Sequence, residues 1–71
     1  MNENEQLLAF SKALRAARLN LGHSQDTFAD SIGMHRAYYS ALERGEKNIT
    51  LKTLCRVTSG LGIDPSTLRE Y

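Results

Sequence analysis

A tight turn at Gly33-Met34 separates two short helical segments, and it restricts the fold more than any other feature of the chain. The first segment begins after Ser24, a favoured helix N-cap, and the second begins near His35 and ends at Gly45. Two helices joined by so short a turn have no room to run antiparallel. They must therefore cross at a steep angle.

Three further helices are predicted around this pair, which itself forms a helix-turn-helix over about residues 24–45. One covers about residues 5–20 and ends at Gly22, one is capped by Thr50, and a short last one opens at Asp64-Pro65. The apolar stripe of the first is Leu7, Phe10, Leu14, Ala17 and Leu21. That of the fourth is Leu51, Leu54, Cys55 or Thr58, and Leu61. The chain is thus predicted to be one all-α, compact five-helix domain over residues 1–71.

Positive charge is concentrated in one part of the chain. Residues 36–56 contain five basic and two acidic side chains and sum to +3, although the whole chain sums to only +1. A local basic surface is typical of a phosphate-binding face, and charges spread over solvated helix faces would give the same count.

The composition argues against several other classes of protein. A single cysteine, Cys55, allows no internal disulfide and fits a reducing cytoplasm; we expect it to lie in the core. No apolar run approaches the length of a membrane helix. No nucleophilic triad, glycine-rich phosphate loop or metal-ligand spacing is present, and His23 and His35 lie too far apart to form a metal site with Cys55. We expect no enzyme activity, no cofactor, no metal and no small-molecule ligand.

A set of spaced residues resembles a known family. They are Ser24-Gln25, Ala29, Gly33-Met34, Leu42-Glu43-Arg44-Gly45, Asn48, Leu51, Leu54 and Leu61-Gly62-Ile63. The pattern resembles the Cro/C1-type (XRE-like) helix-turn-helix transcriptional regulators, which have a lambda-repressor-like fold. Residues 35–45 with 48–51 look most like the controller proteins of restriction–modification systems. Three positions depart from the family: His35 replaces the usual Ser, Thr or Asp cap, His23 replaces the apolar residue that usually precedes the Ser-Gln pair, and Tyr39 replaces a branched aliphatic residue.

The outward face of the third helix is predicted to read DNA bases. At 100° per residue, Tyr39 and Leu42 point inward, and the opposite face would enter the major groove. Arg36 is the strongest base reader, because a guanidinium can bond both acceptors of a guanine. The full set of predicted base contacts is Arg36, Ala37, Tyr38, Ser40 and Ala41. Few of these side chains read bases directly, so DNA shape would supply part of the specificity.

The resemblance implies two further sets of residues. Phosphate contacts would flank the third helix, beginning with Gln25 at the unpaired amides of the second helix. The predicted phosphate contacts are Ser24, Gln25, His35, Arg44, Lys47 and Asn48. In similar proteins an arginine late in the first helix pairs with the glutamate that ends the third. Here these residues are Arg18 and Glu43, and the pair would be structural.

The expected partner is double-stranded DNA, bound by a homodimer. One recognition helix covers few base pairs, so such regulators use two half-sites about 34 Å apart. The dimerisation region is predicted at about residues 58–71, with Leu61, Ile63, Leu68 and Tyr71 in the interface, unless these residues only close the core. An antitoxin-type interaction module with secondary DNA binding and a prophage repressor are alternatives. The sequence does not show the operator, or whether the protein activates or represses.

Overall fold

A computed structural model describes residues 3–47 and 49–64, and these form four α-helices. The helices are α1 (Glu3–Asn20), α2 (Gln25–Ser31), α3 (Arg36–Glu43) and α4 (Leu51–Leu61). The all-α class is confirmed, with four helices in place of the five expected. The predicted fifth helix falls in residues 65–71, outside the described residues.

The helix starts follow the capping residues read from the sequence. Ser24 Oγ accepts from the Thr27 amide at 3.1 Å, and Thr50 Oγ1 accepts from the Thr53 amide at 3.1 Å. His35 makes no side-chain capping bond, as expected where the family carries Ser, Thr or Asp. The turn between α2 and α3 passes through Gly33 at φ 65°, a left-handed conformation that suits glycine.

The core lies where α3 packs against α1 and α2. It accommodates the unusual ring of Tyr39, which is fully buried with its centroid 5.2 Å from that of Phe28. A tilted aromatic pair at this distance is favourable. The buried apolar cluster consists of Phe10, Leu14, Phe28, Ala29, Tyr39, Leu42, Leu54, Val57 and Leu61.

Three residues expected inside are exposed. Leu21 is 48% exposed because α1 ends at Asn20 and the apolar stripe stops with it. Leu51 is exposed at the first position of α4, and the expectation that Cys55 lies in the core is wrong. The buried stripe of α4 is Leu54, Val57, Thr58 and Leu61, and Cys55 lies about 100° from Leu54, outside that arc. Thr58 occupies the inward position because its hydroxyl donates to the Leu54 carbonyl at 2.8 Å.

Helix α4 approaches α2 closely at Gly60, which lies inside the helix; the helix ends at Gly62. A Cβ at residue 60 would stand 2.3 Å from Ile32 Cγ2 and 3.3 Å from the Phe28 ring. The absence of a side chain at Gly60 therefore allows the two helices to pack at this distance. Among the described helices, none is both long and apolar enough to cross a membrane.

Candidate nucleic-acid interface

The N-terminal half of α3 presents the predicted base-reading side to solvent. Tyr39 and Leu42 are fully buried on the inner side of the helix. Arg36 and Ala37 are exposed on the other side, and Arg44 is exposed directly after the helix. Tyr38 is half-buried on the flank, where it packs against the core.

The C-terminal half of α3 is less accessible than its helical periodicity suggested. Ala41 is only 4% exposed, so its placement on the outward face is wrong. The amide of Glu46 donates to the Ala41 carbonyl at 3.0 Å, and this bond folds the chain after Gly45 back against the last turn of the helix. Ser40 is half-buried as well. Only the first part of the helix is therefore open to a partner.

Arg18 and Glu43 form the ion pair that the family resemblance implied. Arg18 Nε lies 2.6 Å and Nη2 lies 3.0 Å from the two carboxylate oxygens of Glu43, so the contact is bidentate. The two side chains are 7% and 2% exposed. Arg18 Nη1 also donates to the His23 carbonyl at 2.8 Å. The pair thus ties the end of α3 to the end of α1 and to the turn that leads into α2.

The ionisation of this pair follows from its contacts. Burial by itself would raise the pKa of the Glu43 carboxyl, but the Arg18 hydrogen bonds, the nearby Tyr39 hydroxyl and the Gln25 amide outweigh it, and the pKa is lowered. The same hydrogen bond raises the pKa of the Arg18 guanidinium. Both groups are therefore charged at neutral pH.

Gln25 connects this ion pair to α3. Its Nε2 donates to Glu43 Oε1 at 3.0 Å, and its Oε1 accepts from Ser40 Oγ at 2.8 Å. A carboxylate only accepts hydrogen bonds, so Glu43 fixes which end of the Gln25 amide faces it. In the part of the chain that the structure describes, the second hydrogen on Nε2 has no acceptor. Ser40, predicted to contact a base, instead uses its hydroxyl hydrogen to hold Gln25.

The buried hydroxyl of Tyr39 lies next to the same network. Within the described residues it makes no hydrogen bond of acceptable geometry, although it lies beside the Glu43 carboxylate and the Arg18 guanidinium. Burial, reinforced by Glu43, raises the pKa of this phenol above its ordinary value of 10. It stays neutral at all physiological pH values, so its role is to pack.

Arg36 and Arg44, two exposed arginines of the interface, each have an acidic partner that the sequence pattern did not reveal. Arg36 Nε lies 2.5 Å from Asp26 Oδ1, with the side chains 70% and 63% exposed. Arg44 Nε lies 2.6 Å from Glu46 Oε2, with both side chains 56% exposed. Asp26 lies in α2, ten positions before Arg36 of α3, so no spacing within one helix links the two residues in the sequence.

The other predicted phosphate contacts are on the surface or outside the described part. Ser24, His35 and Lys47 are exposed, and Ser24 also donates to Thr27 Oγ1 at 2.9 Å. Asn48 is outside the described residues.

Beside α3 runs an open groove of about 430 Å³. It is lined by Met34, His35, Tyr38, Lys52, Thr53 and Arg56, so basic side chains flank the recognition helix here.

The residues predicted for the dimer interface divide into three groups. Leu61 is 6% exposed inside the core of the protomer, which corrects its assignment to the interface. Ile63 packs on the edge of the core and remains half-exposed. Leu68 and Tyr71 lie outside the described residues.

In residues 3–47 and 49–64, no three His, Cys, Asp or Glu side chains gather in a way that could hold a metal ion.

Ser11 was not singled out from the sequence but helps position the recognition helix. It is 2% exposed, and its Oγ lies 2.8 Å from the Leu42 carbonyl and 2.9 Å from the Leu7 carbonyl. It therefore links α1 to the last turn of α3. The signal available in the sequence was a small polar residue directly after Phe10, within the predicted inward stripe of α1.

Comparison with known proteins gives a consistent result. A family profile described as helix-turn-helix matches residues 14–70. Control protein C.MunI from a Mycoplasma species is 42% identical over 57 residues, which cover 80% of this chain and 74% of that protein. Control protein C.BamHI from Bacillus amyloliquefaciens is 33% identical over 72 residues, covering 100% and 88%. The crystal structure of the restriction-modification controller protein C.AhdI from Aeromonas hydrophila superposes with a TM-score of 0.88 at 32% identity, covering 96% and 99%.

Proposed function

The chain belongs to the helix-turn-helix family, among the Cro/C1-type regulators that its sequence resembles, and from this membership we propose that it controls a restriction–modification operon. It would act as a sequence-specific transcriptional regulator that binds double-stranded DNA as a homodimer on a pseudo-palindromic operator. The function is binding, with no catalytic step. The relatives named as control or controller proteins support the choice of operon.

The observation that carries this proposal is the division of α3 into a held part and an open part. Glu43 and Leu42 anchor the C-terminal half, while Arg36 and Ala37 stand exposed at the N-terminal half. Helix-turn-helix proteins place the N-terminal residues of the recognition helix against base edges. A small Ala37 allows close approach, and Arg36 supplies the guanine-reading group.

Phosphate contacts on both sides of the groove would fix the register of the helix. Gln25 has a free amide hydrogen at the start of α2, and Arg44 and Lys47 are exposed after α3. Such contacts supply most of the affinity and little of the specificity. The homodimer follows from the small reach of one recognition helix, and Ile63 is the described residue that we place at its interface.

A binding titration tests the proposal. Purified protein would be titrated against DNA from upstream of its own gene and against an unrelated duplex of equal length, at two salt concentrations. We expect about 10³-fold or greater preference for the upstream DNA, and weaker binding at higher salt. Equal and weak binding to both duplexes would contradict the proposed autoregulation.

A matched pair of variants separates base reading from general charge. Arg36→Ala should reduce the preference for upstream DNA by about 30-fold or more, because the dimer loses one guanine contact in each half-site. Arg15→Ala removes the same charge from the exposed side of α1 and should leave the preference unchanged. Light scattering at two protein concentrations should give the mass of a dimer, and footprinting should show two half-sites about 34 Å apart.

A further inference from the structure

An acidic residue of α2 holds the arginine that we assign to base reading. Asp26 lies in the first turn of α2, and its Oδ1 contacts Nε of Arg36, the first residue of α3. The pair therefore bridges the two helices of the helix-turn-helix at its solvent-facing edge. Both side chains are mostly exposed, so the contact contributes little to the stability of the fold.

The point of contact on the guanidinium decides what Arg36 can still bind. Asp26 meets it at Nε, and within the described residues no hydrogen bond engages Nη1 or Nη2. A guanine presents two acceptors, O6 and N7, in the major groove, and one guanidinium edge carries two donors that match them. With Nε held, the edge formed by the two terminal nitrogens is left for the base.

A carboxylate at this position has an unfavourable effect on DNA binding in general. Asp26 follows Gln25, which we place against a phosphate, and a negative charge there lowers the affinity for any duplex. Apart from its favourable place in the first turn of α2, near the positive end of the helix dipole, its benefit for recognition lies in orientation. A long arginine side chain loses rotamer freedom when it binds a base, and a partner that already restricts it reduces that loss.

The second exposed pair of the interface offers a built-in comparison. Glu46 meets Arg44 through both Nε at 2.6 Å and Nη2 at 3.3 Å, and the two residues are near neighbours after the end of α3. Arg44 lies beyond the half of α3 that faces base edges. Removing the charge of Glu46 should therefore change the affinity for DNA without changing which base is preferred.

We propose that Asp26 is a positioning residue for base recognition: it orients the Arg36 guanidinium so that its terminal edge meets one guanine in each half-site. This inference rests on the proposed function. Asp26 thereby lowers affinity for DNA of any sequence and raises the discrimination at that guanine. Glu46 has only the first of these effects.

The test measures discrimination at single guanines. An operator is first selected with the wild-type protein from a pool of randomised duplexes. Dissociation constants are then measured at one salt concentration for that operator, for copies carrying 7-deazaguanine at each guanine in turn, and for an unrelated duplex. The proteins compared are wild type, Arg36→Ala, Asp26→Asn, Asp26→Glu and Glu46→Gln.

The expected results differ between the variants. For wild type, 7-deazaguanine at one position in each half-site should weaken binding about tenfold. For Arg36→Ala, no single replacement should have this effect. Asp26→Asn should bind the unrelated duplex about twofold more tightly than wild type does. The weakening that 7-deazaguanine causes at the Arg36 guanine should be about threefold smaller for this variant than for wild type. Asp26→Glu should keep most of the wild-type loss. Glu46→Gln should tighten binding to both duplexes and leave the loss unchanged.

Two outcomes would overturn the inference and leave the proposed function intact. One is an Asp26→Asn protein with the wild-type loss at the guanine, and the other is Asp26→Asn and Glu46→Gln behaving alike. A weaker helix α2 would not produce the expected pattern, because lost stability does not select one guanine. If wild type enriches no duplex from the pool, the proposed function fails and the inference fails with it.

Discussion

Replacing Glu43 by alanine should destabilise the fold well before it affects any contact with a DNA base. The carboxylate accepts hydrogen bonds from Arg18 Nε, Arg18 Nη2 and Gln25 Nε2. Of the hydrogen bonds that Arg18 donates among the described residues, the one to the His23 carbonyl would remain after the change. Because a guanidinium does not lose its proton in a protein, the buried side chain would remain charged and uncompensated.

The size of the effect follows from the burial of the pair. Removing one partner of a buried ion pair costs about 3–5 kcal/mol, and we take about 3 kcal/mol because no atom of so small a domain is far from water. The free energy of unfolding of a chain this long is roughly 4–10 kcal/mol. At about 4–8 °C per kcal/mol, the melting temperature should fall by about 12–24 °C.

The exposed pair of Arg44 and Glu46 supplies the control. Its Nε–Oε2 distance is 2.6 Å, the same as between Arg18 and Glu43, but both side chains are 56% exposed. Glu46→Ala should therefore melt within about 3 °C of wild type. Melting would be followed by circular dichroism at matched protein concentration, since a dimer's melting temperature depends on it.

The opposite pattern would refute this reasoning. If Glu43→Ala melts with wild type but has lost its preference for operator DNA, Glu43 acts at the DNA interface and the ion pair has no structural role. If Glu43→Ala and Glu46→Ala are equally destabilised, burial is not what distinguishes the two pairs.

Three other substitutions or conditions test separate features. The lowered pKa of Glu43 means that its stabilising effect is complete above the ordinary carboxyl value of 4.5 and is lost as the pH falls through the lower folded value. Acid should therefore reduce the melting temperature of wild type more steeply than that of Glu43→Ala, and parallel curves would contradict this. Tyr39→Phe removes a buried hydroxyl that has no hydrogen-bond partner among the described residues, so calorimetry should show an equal or higher melting temperature. A fall of more than about 5 °C would indicate that the hydroxyl bonds Glu43 in solution. Gly60→Ala should lower the melting temperature, because the contact with Ile32 outweighs a helix-propensity gain of about 1 kcal/mol. Ser59→Ala, at the exposed neighbouring position, is its control. A higher melting temperature for Gly60→Ala would show that α2 and α4 can move apart enough to admit the added methyl group.

The parts of the fold set by local chemistry could be predicted from the sequence. Ser24 and Thr50 cap the helices they were expected to cap, and the turn at Gly33 takes the left-handed conformation. These caps and this turn depend on residues a few positions apart, so a short stretch of sequence is enough to predict them. The contact of Arg18 with Glu43 spans 25 positions and came from the family resemblance, since no local pattern links them.

The parts that were missed depend on distant neighbours. Periodicity alone placed Ala41 outward, but in the folded chain its side chain is only 4% exposed. The same reasoning left Cys55 and Thr58 as alternatives, and the packing of α4 on the rest of the fold buries Thr58 and leaves Cys55 exposed. Asp26 and Arg36 pair because α2 packs against α3, and this packing is a property of the assembled fold.

The polar network also explains why one glutamate links folding to recognition. Glu43 holds Arg18 of α1 and orients the Gln25 amide, and Gln25 in turn accepts the hydroxyl of Ser40. These contacts fix the C-terminal half of α3 against both preceding helices, and buried Tyr39 holds the middle of the helix, while Arg36 and Ala37 stay exposed at its N-terminal end. Substitutions in the held half should therefore act on stability, and those at the open end on the choice of base. A helix that must present a few side chains to DNA at fixed positions requires both parts, since a base-reading arginine is only as well placed as the helix that carries it.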